Sequence, residues 1–366
     1  MLGAVIVFVM LSACPANKSG VDKAKGKSAQ PTDVPILATT DINEKLPPDI
    51  KSKELFLIKD KGKIGFIDSN GSIAIAAKYD YANLFYEDLA CIAINGKYGY
   101  INKRGDVVIS LLYDSAGDFH EGYANVQSGK LWGYIDTMGK WLVEPKYDSA
   151  WEFSEGLARI RIGLLYGFIG KEGIFIRPNF REARDFKEGL AKVKAAEKDI
   201  SGWGYINKQG KWIIEPFWNL AWSFSEGLAC VLDDYHKVGY ITPTGAFAIK
   251  PQFGSAGYFF DGIAFYNIGG KLVDQEGSTS GGKFGFIDKN GNPIIPAQYD
   301  MVKNFSEGVA AVQINQKFGF IDIHNKQIIP PRFDDAGAFD RGLALVSENS
   351  KIGYIDHSGK YIWREE

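Results

Sequence analysis

The chain has 366 residues, 14% of them aromatic, and a formal net charge of −2 at pH 7. Its Lys and Arg form no long run, which excludes nucleic acid as a partner, because that affinity depends on clustered cations neutralising phosphates. Its three cysteines, Cys14, Cys91 and Cys230, lie too far apart for a disulfide framework or a cysteine metal site.

Residues 1–13 read as a signal peptide. Leu2–Leu11 is apolar, too short to span a bilayer and suited to a signal core, with no Lys or Arg before it. It runs into Leu11-Ser12-Ala13-Cys14, which resembles the bacterial lipobox. That resemblance implies cleavage before Cys14 and lipid attachment to it, hence a lipid-anchored, extracytoplasmic address on the inner or outer membrane of a bacterial envelope. Residues 14–51, rich in Pro, Lys, Ser, Asp and Thr, read as a disordered tether.

From residue 52 to 366 one block of about 34 residues recurs nine times. Its most regular line is Gly-aromatic-Ile, with the glycine at Gly65, Gly99, Gly133, Gly167, Gly204, Gly239, Gly285, Gly319 and Gly353. A fixed period of this length marks a solenoid, propeller or similar array. In the third unit Tyr123–Gln127, Lys130–Asp136 and Lys140–Pro145 are short runs separated by Gly-containing turns, which predicts a three-stranded antiparallel meander, strands A, B and C. Phe or Tyr precedes Ile in strand B of every copy, so both faces of each sheet are apolar and both must be covered. The strand-B glycine shares the Ile face and predicts a bulky neighbour approaching closely. The B–C turn carries Gly71, Gly105, Gly139, Gly173, Gly210, Gly245, Gly291, Asn325 or Gly359 at one position, which predicts a left-handed residue. Asp or Asn opens most of these turns, supplying a side-chain acceptor. The joins between units keep a second aromatic that is always Phe (Phe85 through Phe339), a plug for the seam between sheets.

Lys130-Leu-Trp-Gly-Tyr-Ile-Asp, Gly-Lys-x-Ile-Ile-x-Pro and Phe-x-Glu-Gly-Leu-Ala together resemble the bacterial WG (KWG) repeat family, over about residues 52–366. Literal Trp-Gly stands only at Trp132-Gly133 and Trp203-Gly204. The resemblance implies an all-β repeat array and no general activity. Nine such units form either a propeller-like ring or an open spiral.

Catalytic and metal-binding spacings do not emerge. His120, His236, His324 and His357 occupy different repeat positions, without a partnered spacing. The Asp/Asn ending strand B and the Glu of Phe-x-Glu-Gly form two acidic ladders that would line a channel and hold cations, with turn capping as the simpler role of the first. No cofactor is expected. Departures from the repeat are better candidates: the A–B turn expands at Ala195–Gly202, Asp233–Lys237 and Gly269–Lys283. These place Lys198, Asp199, Asp233, Asp234, Tyr235, His236, Gly269, Lys271, Asp274, Gln275, Glu276 and Lys283 on one rim, where loops on a rigid array carry recognition. Trp151 and Trp222, at one join position, are candidates for stacking sugars or for filling the seam. The expected function is a non-catalytic scaffold recognising an envelope protein or polysaccharide through this rim. The alternative is an envelope hydrolase or lyase using loop or channel acids.

Overall fold

The computed structural model describes residues 54–197, 201–273 and 279–365. The proposed signal peptide, Cys14 and the tether lie outside them. Among the described residues the regular structure is antiparallel β-sheet, and no helix is long and apolar enough to cross a membrane.

Strands A, B and C form where the alternation places them. In the second unit they are Leu89–Ile94, Lys97–Asn102 and Val107–Tyr113. The sheets, however, are not three-stranded. A short strand from the preceding join, Tyr81–Ala82 in this unit, pairs with the far edge of strand A, giving the order join–A–B–C. This fourth strand recurs in units two to nine; only the first sheet has three strands among the described residues. Sheets four and five share one continuous strand, Gly173–Ala183, which is C of one and the join strand of the next. Strand A is buried along most of its length, whereas strand C exposes alternate positions, so A lies inward and C on the circumference. The short strand is innermost. The Tyr86 hydroxyl from blade 2 feels Asp340 and Arg341 of blade 9 as well as Asp118 and Glu152 of blades 3 and 4, so the joins converge on one axis.

Four-stranded blades around an axis make a propeller, and its cores are the seams. The first seam joins Phe66, Ile75 and Tyr79 of blade 1 to Phe85, Ala90, Ile92 and Ile101 of blade 2. In each of the eight seams between consecutive units the strand-B aromatic of one blade meets the Phe plug of the next, with ring centroids 4.6–5.2 Å apart. A ninth seam unites Leu343 and Tyr354 of blade 9 with Phe56, Ile58 and Ile67 of blade 1. There Phe56 replaces the plug, 5.4 Å from Tyr354. The Tyr354 hydroxyl donates to the Leu57 carbonyl at 3.0 Å, and Arg341 pairs with Glu54 at 2.8 Å. The array is therefore a closed nine-bladed ring. Each described blade is built from one contiguous stretch, so side-chain packing closes it rather than an exchanged strand.

The strand-B glycine has a different cause from the one expected. Trp132 pairs with Tyr147 but Tyr134 with Val143, so strand C bulges opposite Gly133. A Cβ on Gly133 would lie 2.4 Å from the Val143 carbonyl oxygen, and in every copy the obstruction is strand-C backbone of the same blade. Only at Gly353 does a side chain also approach, the ring of Tyr361 in strand C of the same blade. The B–C turns follow expectation: Gly71 has φ +83°, Asn325 φ +62°, and the Asp68 Oδ1 accepts from the amides of Asn70 and Ser72.

Candidate functional site

Two further sets of polar contacts stitch the ring. The Glu of Phe-x-Glu-Gly and the following Gly are both left-handed (Glu155 φ 56°, Gly156 φ 84°), forming a tight turn into strand A. In most blades its carboxylate accepts from the equivalent Gly amide of the next: Glu87 from Gly122 (2.8 Å), Glu121 from Gly156 (2.8 Å), Glu155 from Gly189 (2.9 Å), Glu188 from Gly227 (2.8 Å) and Glu226 from Gly262 (3.0 Å). Burial would raise the Glu155 and Glu226 carboxyls, but these amides together with Lys208 and Lys289 hold them below the usual range. This acidic ladder is thus occupied by backbone. In the last copy Arg341 takes its place and reaches Glu54. On the opposite edge the Lys that opens strand B binds an Asp of the next join, as in Lys97–Asp114 (2.6 Å), and that Asp also accepts from the amide of the next A–B turn, here Gly129 (2.7 Å). Lys63–Asp80, Lys283–Asp300 and Lys317–Asp334 repeat the arrangement. Lys283 therefore carries a stitch.

The A–B turns all lie at one edge. Asp233 caps its own loop, accepting from the amides of Tyr235 (3.0 Å) and Lys237 (2.7 Å), with His236 left-handed at φ 59°. Tyr235 stands out, 84% exposed. The longest expansion begins as a hairpin, Lys271–Leu272 against Thr279–Ser280. Its base is tied to fully buried Asn267, whose side chain accepts from the Gly270 amide and donates to the Gly281 carbonyl; Gly269 opens the turn at φ 83°. Lys198, Asp199, Asp274, Gln275 and Glu276 lie outside the described residues.

Beside the Asp233 loop, blades 5 and 6 leave a cleft of about 280 Å³ lined by Phe217, Trp218, Leu232, Asp233, Asp234 and Phe247. Phe217 is 63% exposed, its ring centre 4.1 Å from that of Trp218 with the planes tilted by 36°. The buried Trp218 Nε1–H has no acceptor among the described residues. Exposed aromatics beside carboxylates combine stacking surface with hydrogen-bond acceptors. Phe217 was missed in the sequence because it is an ordinary outward strand-C position; only the seam sets it against Asp233.

The other candidates are engaged in packing. One face of Trp151 is covered by the Arg159 guanidinium at 3.9 Å, with Tyr166 at 5.6 Å. Trp222 packs half-buried in the seam between blades 6 and 7. Cys91 and Cys230 are buried in strands, in no disulfide, and burial raises the Cys230 thiol to about 12. Two inward acids, Asp118 and Glu152, were not among the sequence candidates. Burial pushes the Asp118 carboxyl to about 6 despite its hydrogen bond from Asn83 (2.9 Å), and burial likewise raises Glu152. Both are acids preceding the Phe plug, placed inward by the join strand. Among the described residues no group of three His, Cys, Asp or Glu is arranged to hold a metal ion.

The family model described as "WG containing repeat" matches in eight copies, residues 64–98, 98–132, 132–163, 166–198, 203–235, 239–271, 284–318 and 318–351. No curated protein matches the chain. Among solved structures, the dihydro-heme d1 dehydrogenase NirN is similar at 15% identity and TM-score 0.45, over 85% of this chain and 72% of that one. Kluyveromyces lactis Hsv2p is similar at 6% identity and TM-score 0.39, over 64% and 89%. BamB from Moraxella catarrhalis is similar at 10% identity and TM-score 0.35, over 77% and 86%. With its repeat matched along most of the nine-bladed ring, this chain belongs to the WG-containing repeat family.

Proposed function

We propose that the protein is a lipid-anchored, extracytoplasmic binding scaffold, non-catalytic, that takes an envelope protein or polysaccharide on the A–B rim of blades 5 to 7. The cleft carries this reading: Phe217 and Phe247 are exposed aromatics lining it beside Asp233 and Asp234, with exposed Tyr235 on the adjoining loop of a closed ring. Such surface contributes binding because a preordered aromatic loses little entropy on contact. The test is capture of envelope components by soluble residues 15–366, compared with Phe217→Ser/Tyr235→Ser and with deletion of Asp274–Gly281. Loss of one defined component in either variant, repeated with the purified component, supports the rim; equal capture by all three forms overturns it. Anchoring is tested by Cys14→Ala, which should release the protein to the soluble fraction; retention at the membrane overturns the lipoprotein reading.

A second reading rests on the channel acids. Asp118 and Glu152 are inward-facing carboxyls raised by burial, a property shared by general acids of hydrolases and lyases. On that reading Asp118→Asn and Glu152→Gln each abolish turnover of an envelope polysaccharide, and unchanged turnover removes it.

A further inference from the structure

One face of blade 5 gathers three cations around a single indole. Across its inner strands Glu182 stands opposite Lys194, and the Arg184 amide bonds the Lys192 carbonyl at 2.8 Å, placing Arg184 and Lys192 side by side. All three cations surround one indole: from the Trp203 ring centre, Lys192 Nζ is 4.1 Å, Lys194 Nζ 4.7 Å and the Arg184 guanidinium carbon 5.4 Å away. Lys192 is only 8% exposed and donates to the Ala221 carbonyl of blade 6. Among the described residues Glu182 is the one carboxylate bonded within the group, to Lys194 at 2.7 Å.

Like charges paired across strands are destabilising, and a buried ammonium without a counter-ion is more so. The indole face offsets part of this through cation–π attraction. Lys192 still bears the strain: burial first, then Arg184 and Lys194, lower its amine to about 7. Blade 4 shows the balanced form, where Arg159, at the same strand position as Lys192, is met by Asp185 at 2.9 Å. Elsewhere that position is neutral: Cys91, Asn125, Cys230, Phe265, Ala311 and Leu345. The group reaches solvent through half-buried Lys194 and exposed Arg184, and the charge of Arg184 reaches the Tyr258 hydroxyl on the join of blade 7.

We propose that Arg184, Lys192 and Lys194, seated on Trp203, form a binding site for an oxyanion, the phosphate or carboxylate group of a larger ligand. A guanidinium fork and two ammonium groups supply charge-assisted donors from three directions, and the bound anion balances the buried Lys192. A neutral ligand would leave that charge uncompensated.

Isothermal titration of the purified full chain with inorganic pyrophosphate and, separately, with a uronic-acid trisaccharide tests this. At least one should bind, with affinity falling as NaCl rises, and tenfold or more weaker binding in R184Q/K194Q and in K192M. Should K192M fail to fold, R184Q/K194Q, which leaves buried Lys192 in place, carries the test alone. Binding of pyrophosphate alone identifies a phosphate-bearing ligand, and binding of the uronate alone a carboxylate-bearing one. No binding of either, or equal affinity in the variants, overturns the site. The titration needs no partner, so its failure and failure of the rim reading are separately visible.

Discussion

Truncation of Ile67 to Ala measures ring closure directly. Ile67 and Ile101 hold the same strand-B position in blades 1 and 2, and both are fully buried. Ile101 is covered by the seam with the preceding blade, and Ile67 by Leu343 and Tyr354 of blade 9. Removing three carbons from a packed site costs about 2–5 kcal/mol, transfer and cavity contributions together. If the ring closes, Ile67→Ala and Ile101→Ala fall in that same range. In an open spiral Ile67 would face water, and its truncation would cost less than about 0.5 kcal/mol, as surface substitutions do. The assay is urea unfolding of residues 54–366, followed by tryptophan fluorescence and by far-ultraviolet circular dichroism. Coincident transitions are expected, since a ring has no free end from which blades fray in turn. A near-neutral Ile67→Ala beside a costly Ile101→Ala would refute closure.

Other outcomes follow from the same contacts. Gly133→Ala places a Cβ 2.4 Å from the Val143 carbonyl and should destabilise by about 1–3 kcal/mol or more, read as a lower unfolding midpoint. Asp118→Asn should stabilise at pH 8 but not below about pH 4. The folded state holds this carboxyl near 6, above its unfolded value of 3.8, so wild-type stability falls as pH rises between the two; the gain at pH 8 is on the order of 3 kcal/mol by melting across pH. Glu155→Gln works in the other direction. The folded carboxyl lies below the ordinary glutamate range, so its contribution is present above the unfolded value, is lost as pH falls, and should make wild type and variant converge in acid. Phe217→Ser/Tyr235→Ser should leave stability within about 0.5 kcal/mol while removing partner capture, and a large loss of stability would show these rings to be structural.

Much of this molecule was legible along the chain because its determinants are local. Nine Gly-aromatic-Ile lines, the turn glycines with their Asp and Asn caps, and the two apolar faces of strand B follow from strand alternation and from left-handed backbone, which a few adjacent residues settle. The Phe plugs were legible too, since each recurs against a regular neighbour. The fourth strand was not: Tyr81–Ala82 is two residues long, below any alternation, and becomes a strand only when strand A of its own blade offers an open edge. Nor was closure, which depends on the rotation between successive blades summing to a full turn and on Phe56 standing in for a plug that its own unit lacks. The strand-C bulge, the Glu-to-Gly stitches across about 35 residues, the Phe217–Asp233 cleft and the cations gathered on Trp203 likewise arise between elements distant in sequence. The chain sets the shape of one blade through short-range sterics and burial; the packing of blade on blade decides how many close a ring and which side chains meet in its seams.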